Sequence, residues 1–307
     1  MQPSERRNGI VYGTAAYLLW GVFPLYFPLL HPAGAIEILA NRIVWSLAAV
    51  GALLLVNRSF DSLLAVLRDR RKLVLLSVAA VLIAVNWGTF IYAVTSDHVI
   101  ECSLGYFITP LVSAAFGVFV FRERLRPRQG LALGLGAIAV AMLTVDYGRP
   151  PWIALILAAS FGTYGLLKKL VGVGAAESLA VETLVLLGPA IACIAVLQIA
   201  GSGTFTQDAP GHALLLMLSG PVTALPLLLF SASVTRVPLT LVGMLQYLAP
   251  VLQFLVGLVV VGEAMPASRW IGFGLVWAAL LVLSVDGAHA AHRARLRARA
   301  TPVSEPA

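Results

Sequence analysis

Pro110-Leu111-Val112-Ser113-Ala114-Ala115-Phe116-Gly117 opens a stretch that reaches Glu123, and Pro250-Val251-Leu252-Gln253-Phe254-Leu255-Val256-Gly257 opens one that reaches Glu263. The two prolines, the two glycines and the two glutamates each stand 140 residues apart. The same offset links Gly134 with Gly274 and Val145-Asp146 with Val285-Asp286 downstream. Upstream it links Glu37 with Glu177, Phe90 with Phe230, and Val94-Thr95 with Val234-Thr235. A register kept over this length marks a duplicated unit. Each copy holds five apolar segments long enough to cross a membrane, and because five is odd, the second copy must enter from the opposite side. The chain therefore reads as an all-α polytopic membrane protein of ten transmembrane helices. Two inverted five-helix repeats at 1–146 and 147–286 precede a basic tail at 287–307. Inverted repeats of this kind point to secondary transport.

Composition supports that class. Of the 307 residues 60% are apolar and 11% charged, against about 25% charged in soluble domains. The mean hydropathy is +0.92. Spans are expected at about 9–30, 35–56, 73–95, 99–121, 130–146, 151–168, 178–200, 211–232, 240–262 and 268–286,. The first is too long for the apolar core of a secretory signal and is expected to stay as a helix. With the N-terminus inside, eighteen of the 21 Lys and Arg residues fall on the cytoplasmic side, including Arg122, Arg124, Arg126 and Arg128. Only Arg149 and Arg269 fall outside, and Arg42 lies within a span. That asymmetry places both termini in the cytoplasm, and it explains the net charge of +7 without nucleic acid. Cys102 and Cys193 form no framework of pairs and read as packing residues. The connection 57–72 is either a short interfacial helix or a solvated loop whose charges set topology, and the tail is expected to touch anionic lipid and then fray.

An ionisable side chain in hydrocarbon costs about 2.5–3.5 kcal/mol on insertion scales, so each one needs a partner or a task. Arg42 lies roughly 10 Å below the outer face of the second span. Its expected partner is Glu101, at a similar level on the fourth span; Glu37 is less well aimed. Two readings stand: Arg42 binds an anionic or carboxylate-bearing substrate or forms a gate with Glu101, or the pair only fixes helix packing. Glu182, the repeat equivalent of Arg42, is expected to pair with Lys168 or Lys169. Pro110 and Pro250 each withdraw a backbone N–H near mid-membrane and mark expected helix discontinuities. Gln246, Pro250 and Gln253 share a face. Asn86 and Trp87 on the third span, Tyr17 and Trp20 on the first, Tyr106 on the fourth and Gln246-Tyr247 on the ninth complete a candidate cavity for a small amphipathic molecule. Taken singly, Trp20, Trp87 and Tyr106 also suit packing or interfacial anchoring.

Other motifs carry less. Gly130 and Gly134 allow close helix approach, within the fold or in a homodimer. Asp146 and Asp286 recur symmetrically, but an inverted repeat puts them at opposite faces, which excludes a shared-proton dyad. No HExxH or phosphate-binding loop is present in the sequence, so no cofactor or metal is expected and the chain does not read as an enzyme.

The stretches Ala15-Ala16-Tyr17-Leu18-Leu19-Trp20-Gly21, Asn41-Arg42-Ile43-Val44-Trp45-Ser46, Asn86-Trp87, Ser103 to Leu111, Thr163 to Lys169 and Gln246 to Pro250 resemble the EamA family of the drug/metabolite transporter superfamily, and within it the RarD-type permeases. The resemblance implies two inverted EamA repeats, with spans 1–4 and 6–9 around a central cavity and spans 5 and 10 at the periphery. It also implies a bacterial inner-membrane exporter of small metabolites or drugs. A family link to chloramphenicol resistance comes with the name, and no residue here specifies that compound. The expected function is alternating-access transport, with Glu101 and Glu182 as candidates for proton coupling. A facilitative channel-like permease and a non-transporting membrane protein are the alternatives.

Overall fold

The computed structural model describes residues 3–119, 127–206, 210–234, 236–237 and 239–300. Arg122, Glu123, Arg124 and Arg126, together with the last seven residues, lie outside the described residues. The described residues form helices joined by short connections, with no strand among them. In chain order they form α1 (Pro3–Tyr26, extended by a 3-10 turn Phe27–Leu30), α2 (Ala35–Val56), α3 (Phe60–Arg68), α4 (Arg70–Thr95), α5 (Val99–Phe119) and α6 (Pro127–Tyr147). The second half gives α7 (Trp152–Val171), α8 (Ala175–Ile199), α9 (Pro210–Val234), α10 (Leu239–Leu245), α11 (Leu248–Leu255, followed by a π-helical Val256–Val261) and α12 (Ala267–Ala300).

Length and composition let seven of the described helices cross a membrane: Ser4–Leu30, Ala35–Val56, Arg70–Thr95, Pro127–Tyr147, Ala175–Ile199, Pro210–Phe230 and Ala267–Gly287. The other three expected spans are shorter apolar helices at Val99–Ser113, Trp152–Lys168 and Leu248–Val261. The fourth expected span runs into undescribed residues beyond Phe119, and the ninth is broken at Gln246-Tyr247. Several polar side chains are turned inward among the apolar core while many large apolar ones face outward: Glu37, Asn41, Arg42, Asn86 and Glu182 are buried, and Val11, Leu55, Ile191 and Ile199 are exposed. This is the reverse of a soluble fold, and lipid is the solvent that makes it stable.

One expectation about the connections is decided. Residues 57–72 contain a helix, α3, whose Val66 is buried against Leu76, Val171 and Val181. Asp69 then caps α4 by accepting the N–H groups of Arg71 and Lys72, both at 3.1 Å. The helix α12 continues through the basic tail to Ala300, as its alternating Ala and Arg, both strong helix formers, allow; the end of the tail, where fraying is expected, lies outside the described residues.

The helix packing follows the duplication. Exchanging the halves maps α1 onto α7, α2 onto α8, α4 onto α9, α5 onto α10–α11 and α6 onto α12. Under that exchange α5 against α7 becomes α11 against α1, α4 against α7 becomes α9 against α1, and α2 against α9 becomes α8 against α4; all six packings occur. The pairs α2–α8, α5–α11 and α6–α12 map onto themselves and also pack. The α6–α12 pair is antiparallel. Asp146 at the end of α6 meets Ser268 and Arg269 at the start of α12, while Arg128 at the start of α6 meets His289 far along α12 at 2.8 Å. Asp146 and Asp286 therefore sit at opposite ends of that pair. Gly134, expected to mediate a close approach, faces open space within the chain.

Candidate functional site

Arg42 comes from the first third of α2, where its helix faces α9 across a narrow gap. Gly220 of α9 permits that approach, because a Cβ there would overlap the Trp45 carbonyl. The Arg42 side chain, 4% exposed, donates from Nε to Thr223 Oγ1 at 2.7 Å. Its guanidinium lies 4.2 Å from the Trp87 ring centroid and 5.7 Å from those of Phe23 and Phe27. Aromatic faces attract such a cation, the more so when it is desolvated. Arg42 thus joins α1, α2 and α4 of the first repeat to α9 of the second. Nη1 is buried without a hydrogen-bond partner, and no carboxylate among the described residues forms an ion pair with Arg42.

The expected Arg42–Glu101 pair does not form. Glu101 instead receives Arg149, at 2.9 Å to Oε2 and 3.4 Å to Oε1, and the N–H of Ile153 at 3.1 Å. The first turns of α5 and α7 lie side by side, so Glu101 caps its neighbour and meets the arginine on the α6–α7 connection. Glu37 is likewise occupied elsewhere, accepting from Thr204 N at 2.7 Å and Phe205 N at 3.2 Å.

Next to Trp87, Asn86 donates to the Leu157 carbonyl at 3.2 Å and to Ser160 Oγ at 3.1 Å, while Tyr106 Oη donates to its Oδ1 at 3.1 Å. This network ties α4, α5 and α7 together and consumes the amide. Along α1, Tyr17 and Trp20 meet edge to face at 5.3 Å, and Phe230 of α9 closes on both at 6.0 and 5.8 Å. The stripe Tyr17, Trp20, Phe23, Phe27 leads along α1 to the Arg42 guanidinium. Gln253 of α11 donates to the Trp20 carbonyl at 3.2 Å and keeps Oε1 buried and unpartnered.

An EamA-like transporter family model matches residues 7–145 and again 150–285. The chain belongs to the EamA-like transporter family. Among its relatives, Protein RarD of Streptomyces exfoliatus is 52% identical, over 99% of each chain. Protein RarD of Escherichia coli (strain K12) is 38% identical over 95% of this chain and 99% of its own. A Pseudomonas aeruginosa relative named chloramphenicol-sensitive protein RarD is 31% identical over 92% of this chain and 95% of its own. A solved crystal structure with 19% identity superposes with a TM-score of 0.59, covering 89% of this chain and 96% of that one; it speaks for the fold. The chain is a RarD-type EamA permease and a multi-pass membrane transporter.

Within this EamA transporter the remaining sequence candidates divide. Tyr247 is turned toward α12, where its Oη lies 3.4 Å from Ser284 Oγ, and so stands apart from Arg42. Gln246 occupies the break between α10 and α11. Pro250, four residues on, has no N–H to offer the Gln246 carbonyl, which is where the helix parts. Pro110 creates no such break: α5 runs through it unbroken. Glu182 pairs with Lys168 at 2.9 Å and also accepts from Tyr164 Oη at 3.1 Å and Ser178 Oγ at 2.9 Å. Sequence reasoning missed Phe23, Phe27 and Thr223. The two phenylalanines continue the aromatic spacing of Tyr17 and Trp20, a signal that was available; Thr223 had none.

Proposed function

We propose that this EamA permease is a secondary transporter that moves a small amphipathic metabolite or drug across the bacterial inner membrane by alternating access, working as an exporter. In this reading ten helices cross the bilayer, both termini are cytoplasmic, and the two repeats rock against each other around a midplane site. The observation that carries it is Arg42: a buried cation with no acidic partner among the described residues, held by aromatic faces at the junction of the two repeats. Burying a charge without compensation is costly. A substrate bearing an anionic or strongly electronegative group supplies the missing partner, and the aromatic stripe along α1 suits its apolar body. The competing reading, in which Thr223 and the aromatic cage make Arg42 a packing residue, draws on the same geometry.

Purified protein reconstituted in liposomes and offered labelled chloramphenicol, amino acids and nucleobases tests the proposal. The wild-type chain is expected to exchange at least one of these solutes. Arg42→Ala is expected to lose at least tenfold in flux, the equivalent of about 1.4 kcal/mol, while reaching the membrane at normal abundance. Undiminished flux from Arg42→Ala would leave Arg42 a packing residue.

A further inference from the structure

Glu263 follows Gly262, whose φ of +75° turns the chain out of the π-helical end of α11. Its Oε1 accepts the N–H of Val99 at 2.5 Å and of Ile100 at 3.1 Å, and its Oε2 lies 3.2 Å from the same Ile100 nitrogen. These are first-turn donors of α5, which an isolated helix leaves unsatisfied. A carboxylate from the second repeat thus closes a helix start in the first. Around it, Asp97 and His98 from the α4–α5 connection, Glu101 from α5, Tyr147 from α6, Arg149 from the α6–α7 connection and Arg269 from α12 line a cavity of about 370 Å³. The arginines are committed elsewhere, Arg149 to Glu101 and Arg269 to Asp146. Glu263 forms no ion pair among the described residues. Burial pushes its carboxyl up to about 7; the α5 N–H groups and Arg269 pull the other way, and Asp97 adds to the rise.

We infer that Glu263 is a proton-binding site of this transporter, loaded from the cavity at the start of α5. Ionised, it grips the first turn of α5 through charge-assisted hydrogen bonds, which are roughly twice as strong as neutral ones. Neutral, it loosens that grip. The adjoining segment Val256–Val261 is π-helical, a form that recurs at functional sites,. Proton occupancy thereby biases how the α11 end of one repeat seats on α5 of the other. The use of that proton to drive transport rests on the function proposed above; the site itself does not.

Infrared difference spectroscopy of the purified chain in lipid nanodiscs, titrated from about pH 5 to about pH 9, reads the site without any substrate. The wild type is expected to show a carboxyl C=O band titrating near 7. Glu263→Gln, which keeps an acceptor for the α5 N–H groups, should lose that band. Asp97→Asn, a change tolerated at a φ of 54°,, should shift its midpoint downward because a neighbouring negative charge is gone. A band that survives in Glu263→Gln, a midpoint unmoved in Asp97→Asn, or no carboxyl titrating in this range overturns the inference. Because neither arm measures flux, a lost proton site and a failed transporter reading are told apart.

Discussion

At the scale of single residues, Arg42 and Glu182 occupy equivalent repeat positions and have opposite electrostatic circumstances. Glu182 is buried with Lys168, Tyr164 and Ser178 all directed at it, whereas Arg42 has one hydroxyl, three ring faces and an idle Nη1. The difference predicts opposite stability effects. Glu182→Ala removes the acceptor of the Tyr164 hydroxyl and the ion-pair partner of Lys168, which is 25% exposed, and is expected to cost about 1–3 kcal/mol. Arg42→Met removes an uncompensated charge and is expected to leave stability unchanged or to raise it by on the order of 1–4 kcal/mol. Thermal melts in nanodiscs check both; a large loss in Arg42→Met would mark Arg42 as structural. The sequence announced that both charges were buried, because hydropathy places them inside apolar spans. It offered Lys168 or Lys169 as the partner of Glu182, and Lys168, a neighbour across one short turn, is the one that meets it. It mispaired Arg42 with Glu101, because depth alone does not say which way a helix faces, and Arg149 on the next connection lies closer to Glu101.

At the scale of helices and their ends, carboxylates close the bundle: Glu101 caps α7, Glu263 caps α5, and Asp69 caps α4. Two of them give pH dependence of opposite sign. Glu263 rises from its ordinary 4.5 to about 7, so the folded chain holds an extra proton between those values and stability falls as pH rises through that window. Asp69, held below its ordinary 3.8 chiefly by the Lys72 N–H, contributes stability that is lost only as pH falls beneath that value. The melting temperature is therefore expected to fall between about pH 4.5 and 7 in the wild type and to be flat there in Glu263→Gln. An equal slope in both would assign the effect to another group. Helix discontinuities were half legible. Pro250 does part its helix, but Pro110 does not, since a proline states only that one hydrogen bond is missing and the packing around it decides whether the helix opens. The continuation of α12 to Ala300 was legible from propensity and was masked by the charge of the tail.

For the whole molecule, the 140-residue register was the most informative feature, because it constrains packing as well as composition. The principal helix contacts have counterparts under exchange of the halves, and the equivalent helices α6 and α12 run antiparallel. No hydropathy profile contains that information; a repeat with an odd number of spans does. What sequence could not supply was the cross-repeat chemistry, such as Thr223 meeting Arg42 or Glu263 meeting α5. Those contacts join residues 181 and 164 positions apart. The two repeats are expected to cross the membrane in opposite senses. Ser62 and Ser202, both exposed, stand at equivalent repeat positions, and each is suited to a single reporter cysteine once Cys102 and Cys193 are replaced by serine. Labelling intact spheroplasts with a membrane-impermeant maleimide is the direct measurement. Ser202→Cys is expected to react from outside and Ser62→Cys only after permeabilisation; reaction of both from the same side would contradict the inverted-repeat account.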